Sequence, residues 1–518
     1  MQIFFSRIFS QRRHVHSLLK PSLEKAPEGL REALERGRIQ CGIPGMSVAV
    51  LHKGELIFAD GFGKRNEQEP FTAETLSPIA SLTKAFTATA VGELVAEGKM
   101  DWDKTPVNKY LPEFELEDPV LTSQLTMVDL LSHRTGLPSA VGLSWFRSKE
   151  TRLNLIKRLK HVKMDTKLGS KCLYNNVMYA VAGEAAARVA GTSYEKLVET
   201  KILKPLRLSN TGFSPMEMKR RPNHAMPYSA ESLEDAQKGL FRMDALNEVY
   251  MADAPAGDMF SNVLDLVRWG KAIMNTGNID GEQVLSKESI VETLSPHTIM
   301  GGGPGGSADF GPIMTYGMGW VQDCFKGQNF YWHNGGLLGF QSRLDVFPDR
   351  DLVIAQLCNI FTSQMAACAS RYIAEKVLNL PTTRDWISDV AVNSTKDFYD
   401  SLESSAKGNF PERIPNKPAV HELHAYEGVY SNAIYGDVSV KVDKEKSAKG
   451  SLHFKMGALE SKLEHFHFDA YVVKLDEIKV SDLATFLTGG DGKVMGFRLF
   501  EEDFKRKDDP ISESKESK

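Results

Sequence analysis

A serine hydroxyl and a lysine amine three residues apart can share one face of a helix. Six Ser-x-x-Lys pairs occur in this chain, beginning at Ser17, Ser22, Ser81, Ser193, Ser404 and Ser512. The hydroxyl becomes a useful nucleophile only when a base takes its proton, a task open to a lysine whose pKa is lowered by burial or nearby positive charge. Ser81-Leu82-Thr83-Lys84 stands apart from the other five, because Pro78-Ile79-Ala80 precedes it and the small-residue run Ala85-Phe86-Thr87-Ala88-Thr89-Ala90 follows. That context puts Ser81 at the N-terminus of a buried helix, where free backbone N–H groups and the dipole favour developing negative charge. The plainer reading of the same residues is an N-cap serine and a solvated first-turn lysine.

Two further clusters could complete such chemistry. In Tyr174-Asn175-Asn176, just before a helix expected over 176–190, the phenol could share a proton with Lys84, and an asparagine amide could orient Lys84 and bind a substrate carbonyl. The alternative is a buried aromatic followed by an Asn N-cap, and Tyr430-Ser431-Asn432 repeats the pattern elsewhere. In His333-Asn334-Gly335-Gly336, the glycines would let a substrate lie against the backbone, and the Gly336 N–H could pair with that of Ser81 as an oxyanion hole. A Gly-Gly hairpin carrying an incidental histidine is the competing reading.

The elements that must position these residues can be read from the whole chain. Its 518 residues are enough for two to four domains at about 150 residues each, which excludes a single small binding module. Lys plus Arg number 63 and Asp plus Glu 67, a net charge of −4 that gives no electrostatic case for a nucleic-acid partner or an anionic lipid surface. No apolar run approaches the ~20 residues that span a bilayer, so no membrane association is expected. Five cysteines without a CxxC pair speak against a disulfide framework and against a metal site, and no cofactor is expected. Residues 1–23 lack Asp and Glu but carry Arg7, Arg12, Arg13 and Lys20 among serines and apolar residues. They read as a mitochondrial presequence or as a basic leader with no address, hence a mitochondrial or cytoplasmic location.

From about residue 28 to 381 short apolar strands alternate with helical stretches, the pattern of a mixed α/β body. Met46–Leu51 and Glu55–Ala59 form a hairpin around Lys53-Gly54, strands 329–332 and 340–347 flank Gly335-Gly336, and another follows over 352–357. Helices are expected over 82–99, 176–190 and 263–274. Residues 382–418 are polar and proline-punctuated, which suits a linker containing one helix. From 419 to 508 the alternation of Tyr435–Val442, Leu452–Lys455, Phe466–Val473 and Val494–Phe500 suggests a small antiparallel barrel, with a charged tail over 509–518. His453, His465 and His467 alternate within it and read as strand-face packing rather than as metal ligands.

Taken in order, Ser81-x-x-Lys84, Tyr174-x-Asn176 and His333-x-Gly335 resemble the fingerprints of the serine β-lactamase and penicillin-binding-protein superfamily, in its class C-like branch. Further likeness lies in Ile43-Pro44-Gly45-Met46, Thr126 to Pro138, Pro205-Leu206-Arg207-Leu208, Tyr316-Gly317-Met318-Gly319-Trp320 and Phe347-Pro348-Asp349. The resemblance implies an α+β fold: an antiparallel sheet flanked by helices plus an all-helical subdomain, with the site between them. It implies Ser81 as nucleophile, Lys84 and Tyr174 as the proton-handling pair, and Asn176, His333 and Gly335 as substrate contacts. Ser81 and Gly336 would form the oxyanion hole. His133, in a Leu-Leu-x-His-x-x-Gly pattern, reads as structural. Residues 426–436, 452–454 and 465–469 are similar to the lipocalin-like domain appended to some archaeal serine peptidases of this superfamily, where the barrel assists oligomer assembly and limits access. That likeness is the ground for expecting a homo-oligomer.

The third motif departs from the lysine usual in penicillin-handling members, which weakens the positive charge available to a substrate carboxylate near neutral pH. Two functions follow. The first is a serine hydrolase acting through an acyl-Ser81 intermediate on a small-molecule or peptide substrate, as an ester, amide or peptide. The second is a catalytically silent scaffold that forms oligomers or filaments, and three intact motifs favour the enzyme.

Overall fold

The computed structural model describes residues 25–507 apart from 146, 147, 149, 247–250, 304–305, 444–450 and 477, so the basic stretch 1–23 and the charged tail lie outside the described residues. The body is built on an antiparallel sheet that begins with the hairpin β1 (Gly45–His52) and β2 (Glu55–Gly63). Lys53 and Gly54 turn it with φ of 52° and 78°, the left-handed pair that matches the twist of a two-residue hairpin. Six later strands complete it: β3 (Thr298–Gly302), β4 (Ile313–Tyr316), β5 (Val321–Phe325), β6 (Gln328–Leu337), β7 (Phe340–Phe347) and β8 (Leu352–Cys358). Their order is β3-β4-β5-β6-β7-β8-β1-β2, so β8 pairs with β1 and joins the two ends of the body segment.

Alternation along the central strands divides the core. Val353, Ala355 and Leu357 of β8 face one hydrophobic cluster, which holds Trp269, while Ile354 and Cys358 face another with Ile373. Helices therefore cover both faces: α1 (Leu30–Gln40) and α5 (Met365–Leu378) on one, and α4 (Val263–Met274) on the other. Helix α2 (Thr83–Ala96) is buried almost all round, as its Ala and Thr content permits, and Phe86 stacks on Trp269 with ring centroids 4.2 Å apart. Between α2 and Gly212 the described chain is helical without a strand, and α3 (Asn176–Ala190) runs through this helical region.

In two places the structure adds to the expected elements. Gly335 and Gly336 lie inside β6, paired with Ser342 and Gln341 of β7, and the chain reverses at Leu338-Gly339 with Gly339 at φ 75°. A glycine pair is a strong local turn signal, but here the strand must pass against another backbone, and that requirement prevails. Within 382–418, α6 (Ala391–Lys407) is docked on the body: Trp386, Ile387, Ala391, Thr395 and Tyr399 are buried, and Thr362 donates to the Tyr399 hydroxyl at 2.7 Å.

The C-terminal region is all-β. Strands β9 (Gly428–Asn432), β10 (Gly436–Asp443), β11 (Ser451–Met456), β12 (Leu459–Lys462), β13 (Glu464–His467), β14 (Ala470–Leu475), β15 (Val480–Thr488), β16 (Val494–Leu499) and β17 (Glu502–Arg506) form one nine-stranded sheet. Its order is β12-β11-β10-β9-β17-β16-β15-β14-β13. It curls until the ends almost meet, Lys474 N of β14 donating to Ser461 Oγ of β12 at 2.9 Å, which makes a nearly closed barrel. Tyr430, Phe486 and Phe497 fill its centre.

Candidate active site

Three elements converge at the Ser81 turn. Pro78 pairs with Phe260, the Ile79 N–H donates to the Met259 carbonyl at 2.8 Å, and the Ile79 carbonyl accepts from Ser342 Oγ of β7 at 2.6 Å. Held from both sides, the chain enters a tight helical turn, Ala80–Leu82, with Ala80 at φ 46°, a conformation costly for a residue with a Cβ. The turn leads directly into α2, which places the partly exposed Ser81 one turn before the fully buried Lys84. Gly335 is required beside it, since a Cβ there would lie 2.0 Å from the Ile79 carbonyl oxygen. Gly319, at φ 82°, lets the Tyr316–Trp320 segment touch the start of α2, where a Cβ would meet Ala85 Cα at 2.7 Å.

Lys84 Nζ lies 3.0 Å from Ser81 Oγ, 2.7 Å from Asn176 Oδ1 and 2.8 Å from the Ala256 carbonyl. The last two accept only, so a neutral amine gives them its two hydrogens and turns its lone pair to the Ser81 hydroxyl. The electrostatics favour that neutral form. Burial lowers the Lys84 pKa to about 7, although the nearby Asp253 carboxylate pulls the other way. Asp253 is raised from its ordinary range by the same burial, and one of its carboxyl oxygens is buried without a hydrogen-bond partner.

Tyr174 supplies the ring over which Lys84 Nζ sits, 4.9 Å from the centroid. Burial pushes the phenol well above its usual range, so it stays protonated while Lys84 loses its proton. The adjacent asparagines divide their work. Asn175 caps α3, its Oδ1 accepting from Met178 N at 3.3 Å, and this frees Asn176, the first helical residue, to face Lys84 from the cleft. His133, fully buried at φ 60°, accepts the Asn175 N–H on Nδ1 at 3.1 Å, and its ring lies 4.3 Å from that of Tyr174. It thereby supports the Tyr174-Asn175 backbone.

His333 is buried beneath this group. Its Nδ1 donates to the Asn334 carbonyl at 2.6 Å, which leaves Nε2 to accept from the Tyr316 hydroxyl at 3.0 Å. Burial, with the Lys84 charge adding to it, lowers its pKa to about 3. The imidazole is neutral and presents no cation to a substrate carboxylate, the consequence expected of histidine at this position.

Ser81, Asn176, Asp253 and Gly336 line a cleft of about 520 Å³ between the sheet and the helical region. Six of the seven residues singled out from sequence, Ser81, Lys84, Tyr174, Asn176, His333 and Gly335, are thus brought together, and Gly336 stands on the cleft wall. Asp253, the Ala256 carbonyl and Ser342 belong to the same constellation, but no local motif announces them. Among the described residues no group of three His, Cys, Asp or Glu side chains could hold a metal ion.

The profile of the beta-lactamase family matches residues 26–378, and that of a domain of unknown function (DUF3471) matches residues 412–512. An unguisins hydrolase of Aspergillus campestris is 26% identical over 81% of this chain and 78% of its own length. Beta-lactamase-like protein 2 of Dictyostelium discoideum is 26% identical over 55% of this chain and 51% of its own. Among solved structures, the octameric penicillin-binding protein homologue from Pyrococcus abyssi superposes with a TM-score of 0.56 at 21% identity, covering 92% of this chain and 98% of that one. A D-stereospecific amidohydrolase from Streptomyces gives 0.53 at 23% identity over 67% and 97%.

Proposed function

The chain belongs to the beta-lactamase family, and from that premise we propose that it is a serine hydrolase working by acyl transfer through Ser81. The observation that carries this reading is the Lys84 amine, near-neutral in pKa and 3.0 Å from the Ser81 hydroxyl. Lys84 takes the Ser81 proton as the hydroxyl attacks a substrate carbonyl. The backbone N–H groups of Ser81 and Gly336 receive the developing oxyanion, and Asn176, His333 and Gly335 shape the substrate's seat. Tyr174, still protonated, passes a proton to the leaving group and is reprotonated by way of Lys84. Water then repeats the sequence on the acyl-enzyme.

The substrate is a small molecule or peptide with an ester or amide bond. A neutral His333 disfavours penicillins, whereas the likeness to a hydrolase and an amidohydrolase favours amide and ester bonds. The barrel reads as a lipocalin-like appendage, and the fold shared with an octameric homologue supports homo-oligomerisation. The test is turnover of a panel of p-nitrophenyl esters and peptide amides by the wild-type chain and by Ser81→Ala. Turnover lost in Ser81→Ala supports the hydrolase. Equal turnover in both removes it, and no turnover by a folded wild type returns the weight to the silent scaffold.

A further inference from the structure

A second cavity of about 390 Å³ opens beside the Ser81 cleft, and the two share Leu337, Leu338, Phe361 and Ile478 as walls. Its far side is formed by Tyr399, Leu402 and Ala406 on α6, the helix that follows the family-matched body. Ile478 comes from the barrel, on the turn between β14 and β15, where its N–H donates to the Leu475 carbonyl at 3.1 Å. The wall is tied together, since Ser481 Oγ of β15 donates to the Ala406 carbonyl at 2.8 Å and Thr362 anchors Tyr399 to the body. Charged residues such as Glu231, Arg242 and Lys479 also reach the lining, and Arg242 is already paired with Asp244.

From this continuity we propose that the side cavity is the subsite for an elongated apolar arm of the substrate, an acyl chain or run of apolar side chains joined to the scissile carbonyl. The proposal rests on the hydrolase reading for the identity of the cleft, and it adds the substrate class. The four apolar side chains shared by the cleft and the side cavity, Leu337, Leu338, Phe361 and Ile478, reward each methylene that leaves water against them, by up to about fourfold in affinity. A short acyl group would reach only the shared walls. Three separate parts of the chain build the arm's seat, namely the β6–β7 turn, α6 and the barrel turn, so the length preference is a property of the assembled chain.

The test uses full-length Ser81→Ala protein, in which binding is read without turnover, titrated calorimetrically with N-acetylethanolamine and N-octanoylethanolamine. The octanoyl amide is expected to bind at least tenfold tighter. Ala406→Trp, which fills the cavity, and Ile478→Asp, which charges its entrance from a surface turn, should each bring the two affinities within about twofold. Equal affinities for the two amides, or a length preference that survives both substitutions, would overturn the subsite. Failure of Ser81 to react with an acylating agent would instead remove the hydrolase reading, and the titration would still report on the cavity.

Discussion

At the scale of single residues the site separates two proton carriers by environment. Lys84 is fully buried and Tyr174 half-buried, and burial drives both the amine and the phenol toward their neutral forms. One neutral form is a base and the other an acid, so a single physical cause prepares both roles. With Lys84 near 7, its unprotonated fraction grows as pH rises, so kcat/KM should climb through about pH 7 and level above it. A flat profile between mildly acidic and basic pH would contradict the base assignment. Lys84→Ala should lower kcat/KM by at least about 100-fold, the lower end of what a positioned acid–base group contributes. Tyr174→Phe should lower kcat while leaving the midpoint of the pH profile in place, because the group that titrates there is Lys84. The two glycines of β6 differ in the same testable way. A Cβ on Gly335 meets backbone at 2.0 Å, whereas on Gly336 it meets the Phe361 ring at 2.4 Å. Gly335→Ala should therefore displace the Ser81 turn and abolish activity, and Gly336→Ala should retain some, measured with one ester substrate on folded protein.

At the scale of elements, the nucleophile is positioned by the buried packing of α2. Its Phe86 ring stacks on Trp269 of α4, both fully buried, between the Ser81 turn and the sheet. Phe86→Ala should cost about 3–5 kcal/mol in chemical denaturation, with loss of activity wherever the helix start relaxes. A cost below about 1 kcal/mol would show that α2 is held by something else. The reach of sequence reading follows the same division. Helices α3 and α4 and the β1–β2 hairpin were legible because their periodicity, their caps and the Lys53-Gly54 turn all lie within the element. Ser81 with Lys84, and Tyr174 with Asn176, were legible because each pair is set by one turn of local chain. The placement of Gly335-Gly336 inside a strand was not, since what demands glycine is the Ile79 carbonyl some 250 residues earlier in the chain, a contact that exists only after folding. Asp253 and the Ala256 carbonyl escaped for the same reason. They reach Lys84 through tertiary packing, from a stretch whose local sequence suggests only a turn.

At the scale of the whole molecule, the body and the barrel are not independent pieces joined by loose chain. The segment between them packs as α6 against the body, and its last turn meets β15 through the Ser481–Ala406 hydrogen bond. On the other side Arg158 of the helical region reaches Gly436, where an added Cβ would lie 2.8 Å from its guanidinium. The barrel thus contributes Ile478 to the cleft wall. No helix of the described residues is long and apolar enough to cross a membrane. If the likeness to an octameric homologue extends to assembly, sedimentation velocity should show a species several times the mass of one chain, stable on dilution through the micromolar range. A single monomeric boundary would confine that likeness to the fold.

The central claim is that Ser81 is an activated nucleophile, and the most direct measurement is its reaction with a fluorophosphonate, with the adduct located by peptide mass spectrometry. One adduct per chain is expected, on Ser81, forming faster as pH rises through about 7 and absent in folded Lys84→Ala. A folded wild-type chain that forms no adduct on Ser81 at any pH from mildly acidic to basic would contradict that claim.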